Sequence, residues 1–261
     1  MSKLQDRMRK LIVSAISDFS MIEEGDKIMV ACSGGKDSTI LLLMLEEIRK
    51  RSPYKFTICP VILDQKQPGF NIADFKVYLD SHGLELTILE ENTYDIVKEK
   101  VDEGKAYCGL CSRLRRGILY NYAHEKGFTK IALGHHRDDI NETLVMNLFF
   151  SGKMATMPPK LKARDSRNTI IRPLAYVREK DLIEIQNELN FPVIPCNLCG
   201  SQENMQRQEV KSLLASLEDK IPHISSSMLN AQKNVIPSLL LDKSLWNYDE
   251  IQAVDTDPAK F

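Results

Sequence analysis

Ser33-Gly34-Gly35-Lys36-Asp37-Ser38 gathers two hydroxyls, two glycines, a lysine and a carboxylate into six consecutive residues. A short apolar run rich in strand formers, Lys27–Cys32, precedes it, and Thr39–Ile48 follows as an apolar, helix-period segment. A strand, a tight glycine turn and a helix start make an anion cradle, because the first-turn N–H groups are unpaired and the helix dipole favours negative charge. Gly34 and Gly35 let the backbone approach a phosphate, Lys36 adds a cation, and Ser33 and Ser38 add hydroxyls. An ordinary turn with Asp37 or Ser38 as N-cap explains one serine and one glycine, but not the whole set. The spacing differs from the G-x-x-x-x-G-K-[ST] phosphate loop.

Two C-x-x-C pairs, Cys108-Gly-Leu-Cys111 and Cys196-Asn-Leu-Cys199, stand far apart in the chain. Each places two sulfurs within reach of one metal, and the pairs can meet only through the fold. From spacing alone a Cys₄ zinc is the default, a redox dithiol lacks its usual context, and an iron–sulfur cluster is a third option, the spacing not choosing between zinc and iron. Cys32 and Cys59 fall in strand candidates and read as small buried residues.

Behind the first pair, Arg113, Arg116 and Tyr120 share one side of a helix, with Arg115 beside them. Such a face could grip phosphate and stack a base, or simply be solvated. Gly134-His135-His136-Arg137-Asp138-Asp139 forms a further loop. Asp139 with Glu142 reads as a capping box. Asp138 and Asp139 could instead serve a phosphate site by holding Mg²⁺. Two adjacent histidines seldom face one ion.

These residues require a scaffold, and strand and helix signals alternate to supply it. An amphipathic helix carrying Leu4, Met8, Leu11, Ile12, Ala15, Ile16 and Phe19 comes first, with Lys3, Arg7 and Lys10 on another face. Strands are expected at Lys27–Cys32, Phe56–Leu63, Glu85–Leu89, Lys130–Leu133 and Thr169–Arg172. Helices are expected at Ile72–His82, Ser112–Lys126, Asp139–Phe150 and Glu179–Asn190. The alternation predicts an α/β fold with a doubly wound parallel sheet. Ligands would bind beyond the carboxyl ends of the strands, where the Ser33, Asp64–Gly69 and Gly134–Asp139 loops all fall. We divide the chain into an N-terminal basic helix over 1–25, a catalytic domain over 26–220 and a C-terminal helical extension over 221–261.

The 261 residues are 43% hydrophobic and 27% charged, enough for one substantial core. No run approaches the roughly 20 apolar residues of a membrane span, and no apolar stretch follows the N-terminal charges as in a signal peptide. A reducing cytoplasmic setting is expected, with no membrane partner. The net charge of −1 hides a segment, Ser151–Lys180, that is +6 while the rest is −7. Such a segment suits a polyanion or a solvated surface.

Taken together, Ser33–Ser38, Leu63–Phe70, Glu90–Tyr94, Cys108–Arg116, Gly134–Asp139 and Ile194–Gln202 resemble the tRNA 2-thiocytidine synthetases, a branch of the PP-loop ATP pyrophosphatases. The resemblance runs from about Lys3 to Gln208 and implies an adenine nucleotide alpha hydrolase-like fold. It implies ATP-dependent sulfuration of a tRNA cytidine, with ATP, Mg²⁺ and a [4Fe–4S] cluster. ATP binding is implied for Ser33, Gly34, Gly35, Lys36, Asp37, Ser38, Leu63, Asp64 and Gly134, and catalysis for Lys36, Asp37, Asp138 and Asp139. Cys108, Cys111 and Cys199 would hold the cluster, and Arg113, Arg115 and Arg116 would meet RNA. The expected partners are tRNA and a sulfide donor such as a cysteine desulfurase, and a homodimer is admitted. Two other classes stay open: a zinc-containing PP-loop tRNA ligase or amidotransferase, and a non-catalytic redox-sensing RNA-binding module.

Overall fold

Six strands form one sheet in the order β3-β2-β1-β4-β6-β5. They are β1 Lys27–Cys32, β2 Thr57–Asp64, β3 Thr87–Glu90, β4 Lys130–Ala132, β5 Lys160–Lys162 and β6 Thr169–Ile171. This computed structural model describes residues 2–100, 108–163, 166–194 and 205–249. The chain divides into two compact units, Met1–Ser216 and Leu217–Phe261. The second carries α9, Ile224–Ala231, and a short 3₁₀ turn at Pro237–Leu239.

The central strand β1 pairs in parallel with β2 on one side and β4 on the other. Ile28, Met29 and Val30 are wholly buried, as expected of a parallel strand covered on both faces. Pro60 lies in β2, and its missing N–H is tolerated because the β3 ladder begins only at Val61. The sheet departs from the expected all-parallel form at one edge, where β5 runs antiparallel to β6. Lys160, Leu161 and Lys162 are too short and too basic a run to announce a strand.

Helices cover both faces. Met29, Val61, Leu63, Ile131 and Ile170 pack with Leu119 and Ala123 of α5, Cys108–Glu125. The apolar helix α2, Lys36–Arg51, buries Ile40 to Leu45 and Ile48, and packs on β1 together with α1, Lys3–Asp18, and α7, Glu179–Leu189. Ser2 caps α1 reciprocally with Gln5, and Met8, Ile12 and Ala15 form its buried stripe. The expected helix at Ile72–His82 appears as α3, Ala73–Ser81. Sequence reading overlooked α4, Thr93–Lys100; α8 is described from Met205 to Lys220, and α9 falls within the expected C-terminal helical extension.

At the amino edge a charge pair closes the sheet. Lys130 Nζ lies 2.7 Å from Asp26 Oδ2, both side chains buried, and 3.1 Å from Glu23 Oε2. Burial alone would raise the Asp26 carboxyl, but hydrogen bonds from Lys130, Thr129 and the Glu23 N–H hold it below its ordinary value. A cavity of about 600 Å³ beside it, lined by Ile16, Ile22, Tyr54 and Phe56, is remote from the loops discussed next.

At the carboxyl edge the strand order reverses between β1 and β4, which is the switch point of this sheet. Gly134, just past β4, lies so close to α2 that an added Cβ would stand 2.9 Å from Ser38 N and 3.1 Å from the Asp37 carbonyl carbon. We predict that Gly134→Ala lowers stability by about 1–3 kcal/mol, since backbone cannot rotate aside as a side chain can. Gly117→Ala, within α5 where an added Cβ meets nothing, should instead raise stability by about 0.5–1 kcal/mol. Urea unfolding of the two variants should therefore move the midpoint in opposite directions.

Candidate active site

The Ser33–Ser38 turn sits at that switch point. Gly34 has φ +77°, and an added Cβ would fall 2.7 Å from Ile194 Cβ. Ile194 also donates its N–H to the Gly34 carbonyl at 2.9 Å, so the chain leading to the second cysteine pair is fastened to the turn. Gly35, extended at φ −84° and ψ 165°, is the N-cap of α2 and supplies no side-chain cap. The helix therefore begins at Lys36, three residues earlier than expected, and neither Asp37 nor Ser38 is its N-cap. Its first-turn N–H groups lack helix partners, and the helix dipole stands behind them.

The two serines differ. Ser38 is buried: its Oγ accepts the Ser33 N–H at 3.1 Å and donates to the Gly35 carbonyl at 3.2 Å, which holds the turn closed. Ser33 is exposed, with its Oγ 3.1 Å from Ser38 Oγ. Lys36 Nζ lies 3.1 Å from Asp37 Oδ1 and 3.5 Å from Glu179 Oε1. Asp37 Oδ1 nonetheless accepts no well-aligned hydrogen bond among the described residues.

The loop after β4 leads into α6, Arg137–Met146, which is followed by a wide π turn over Asn147–Ser151. Here His136, not Asp139, is the N-cap, and Asp139 accepts the His136 N–H at 3.0 Å as its third-position partner. Asp138 Oδ2 accepts the Glu179 N–H at 2.7 Å and so ties α6 to the start of α7. Burial would raise Asp138, but His136 and that N–H hold it below its ordinary range. Arg207 of α8 reaches Asp139 at 3.2 Å and Glu142 at 3.5 Å. Burial and the repulsion of Asp139 raise the Glu142 carboxyl.

The adjacent histidines face different surroundings. Burial opposes charging of His136, yet Asp138, Asp139 and Asp37 raise it above the ordinary histidine range. Burial and the Arg172 cation push His135 down to about 4. Among the described residues no three His, Cys, Asp or Glu side chains come together as a metal-binding group.

At the end of β2, Leu63 turns its side chain into the core, and Asp64 accepts the Lys66 N–H at 2.7 Å. Gln65 is buried and was not singled out in the sequence, yet its Oε1 accepts from Thr93 Oγ1 at 3.0 Å and from Cys111 Sγ at 3.2 Å. It thereby fixes the first cysteine pair, at the start of α5, to the same edge as the glycine turn. Cys108 lies one turn ahead of Cys111 on that helix. Cys196 and Cys199 lie outside the described residues. Cys32 is buried in β1 with its thiol pushed up to about 12, which suits a packing role. Cys59 is half-buried beside Thr87.

Arg113 and Arg116 are exposed on α5, with Arg115 half-buried. Tyr120 does not join them, because the second half of the helix lies on the sheet and presses Tyr120 against the core. The basic segment is likewise divided. Arg172 is buried and donates to the Pro158 carbonyl, and Arg178 pairs with Asp181 at 2.6 Å. Lys153, Lys162 and Lys180 remain exposed.

The histidine environments have opposite linkage. As pH falls from 6.5 to about 4, unfolded His135 takes up a proton that the folded side chain refuses, so stability falls. His136 contributes stability that is complete below 6.5 and lost as pH rises through its raised folded value. His135→Gln should therefore flatten the acid limb of the melting temperature against pH between those values. An unchanged acid limb would show that His135 is not held neutral.

Comparison with known proteins follows the same lines. A PP-loop domain family matches residues 2–211. The tRNA-cytidine(32) 2-sulfurtransferase of Bdellovibrio bacteriovorus is 54% identical over 246 residues, covering 94% of this chain and 95% of that protein. The protein of the same name from Hahella chejuensis is 51% identical, over 100% of this chain and 92% of its own. Among solved structures, the U34-tRNA thiolase NcsA from Methanococcus maripaludis, with its [4Fe-4S] cluster, superposes with a TM-score of 0.69. It shares 22% identity over 88% of this chain and 78% of its own, which is a likeness of fold. With the glycine turn at the switch point and relatives matched from end to end, the chain belongs to the PP-loop family and, within it, to the tRNA-cytidine(32) 2-sulfurtransferases.

Proposed function

We propose that this protein uses ATP to replace the C2 oxygen of cytidine 32 of tRNA with sulfur, as the name of its relatives describes. The observation that carries the reading is the uncapped start of α2 at Gly34–Gly35, an anion site at the sheet's switch point within reach of Cys111's edge. The C2 oxygen is no leaving group until it is activated. Transfer of AMP from ATP to that oxygen releases pyrophosphate, and sulfide then adds at C2 while AMP leaves with the oxygen. Ser33, Gly34, Gly35 and Lys36 would bind the phosphates, and the α2 dipole would stabilise charge developing on the departing pyrophosphate. Ser38 acts through the turn that it closes. Leu63, Asp64 and Gly134 would border the nucleotide from the flanking strand ends.

A divalent cation would accompany ATP. Asp37, with one carboxylate oxygen accepting no aligned hydrogen bond among the described residues, fits that duty. Asp138 and Asp139 already accept the Glu179 and His136 N–H groups and would orient the loop rather than hold the ion.

Residues of the first cysteine pair also fit an iron–sulfur cluster. They stand one turn apart on α5, and the buried Cys111 sulfur donates to Gln65 Oε1 at 3.2 Å. Cys108, Cys111 and Cys199 would hold it, and it would supply a Lewis-acidic iron able to bind sulfide. The exposed Arg113 and Arg116, with Arg115 and the lysines at 153, 162 and 180, would take tRNA phosphates. No described helix is long and apolar enough to cross a membrane. A cytoplasmic location, a sulfide donor and a catalytic domain over 26–220 complete the proposal.

Lys36→Ala should abolish tRNA-dependent pyrophosphate release with little change in melting temperature, because the side chain is at the rim of the turn. Retention of full thiolation by that variant would refute the phosphate assignment. A separate expectation concerns iron: Cys108→Ala, Cys111→Ala and Cys199→Ala should each purify anaerobically without it, whereas Cys196→Ala keeps it. Iron content and absorbance near 400 nm, a property of thiolate-bound clusters, decide the point. A requirement for all four cysteines would mean a closed site with no open iron.

A further inference from the structure

Glu179 lies at the start of α7 with a lysine on each oxygen. Lys36 Nζ of the glycine turn is 3.5 Å from its Oε1, and Lys211 Nζ of α8 is 2.6 Å from its Oε2. One carboxylate therefore separates two cations directly beside the uncapped start of α2. The Glu179 side chain is 22% exposed, as is that of Lys36, so the pair is sheltered without being sealed. Lys211 is 53% exposed and could turn toward a ligand in the mouth of the site.

We infer that Lys211 is a second phosphate-binding cation, and that Glu179 stands where the pyrophosphate portion of ATP will lie. The inference rests on the ATP reading given above and extends it to a residue outside the glycine turn. A pyrophosphate group offers what Glu179 offers, oxygens of negative charge spaced to meet two ammonium groups, but with more charge and more acceptors. Glu179 thus competes with the nucleotide for both lysines. Its carboxyl is held below its ordinary range despite burial, by Lys211 and then Lys36, so it stays ionised and keeps competing across the neutral range. Other charges facing this point are Asp37 and Asp138 on the turn and the loop, Glu142 on α6, and the His136 ring. The acids repel a triphosphate. With Glu179 also present, a single lysine would face a carboxylate-rich mouth, and a second cation from α8 redresses that balance.

Competition gives two substitutions opposite signs, which a purely structural ion pair would not. Full-length Lys211→Ala should bind ATP about tenfold or more weakly, the loss expected when a charge-assisted contact is removed. AMP, lacking the pyrophosphate, should bind as before. Glu179→Gln removes the competitor while keeping the shape of the side chain, and should bind ATP more tightly than the parent. Equilibrium binding of ATP, AMP and inorganic pyrophosphate to parent and variants, with melting temperatures measured alongside, reads all of this. If the parent binds ATP but Lys211→Ala binds it equally well, the inference is wrong. If both variants lose affinity together and melt earlier, the pair only anchors α8 and the inference is again wrong. A parent that binds no ATP would instead overturn the ATP reading itself.

Discussion

The carboxyl edge depends on two glycines whose missing Cβ atoms let neighbouring stretches of chain close up on one another. Gly34 brings the turn against Ile194, Gly134 brings the end of β4 against the first residues of α2, and both approaches leave no room for a Cβ. Because interiors are packed to the density of organic crystals, such contacts are held in place rather than adjusted. The α2 start, the β4–α6 loop and the segment entering the second cysteine pair are thereby registered to one another. The glycine turn, a cluster of acids and the Cys111 edge share one mouth as a direct consequence.

Charge is handled differently at the two ends of the sheet. At the amino edge Lys130 is closed off by Asp26 and Glu23. At the carboxyl edge the acids and bases form a chain, from Lys36 through Glu179 to Lys211, and from Asp139 through Arg207 to Glu142. The cations of that chain, Lys36, Lys211 and Arg207, are the members with which an incoming anion could pair. Two adjacent histidines show how finely the loop sorts its environment, since one is raised by three carboxylates and the other lowered by burial and an arginine. Neither behaviour follows from residue type.

Local chemistry was legible in the amino-acid sequence. The strand, glycine turn and apolar helix around Ser33–Ser38 were readable because a turn needing φ > 0 and an exposed helix start has short-range requirements that residue types meet directly. The βα alternation, the amphipathic N-terminal helix and the burial of Cys32 were readable for similar reasons of period and polarity. Errors fell where the signal is weak. The β5 edge strand is three residues long, α4 is short, α2 starts at Lys36 and not at Thr39, and α6 is capped by His136 and not Asp139, because several polar residues in that loop could cap.

Tertiary structure alone decided which charged groups act at the site. A run of eight basic residues looked like one surface, yet Arg172 is buried against the Pro158 carbonyl and Arg178 is spent on Asp181. Glu179, Lys211 and Arg207 carried no motif, Gln65 was one unremarked residue of its loop, and they reach the site only because the start of α7, the first half of α8 and the end of β2 lie beside the glycine turn. Spacing along a chain encodes turns, caps and periods, which involve neighbours a few residues apart. The strand order that sets β1 between β2 and β4, and the ion pairs between residues such as Lys36 and Glu179, arise from contacts across the fold. No pattern of spacing specifies those, so they became visible only once the sheet was assembled.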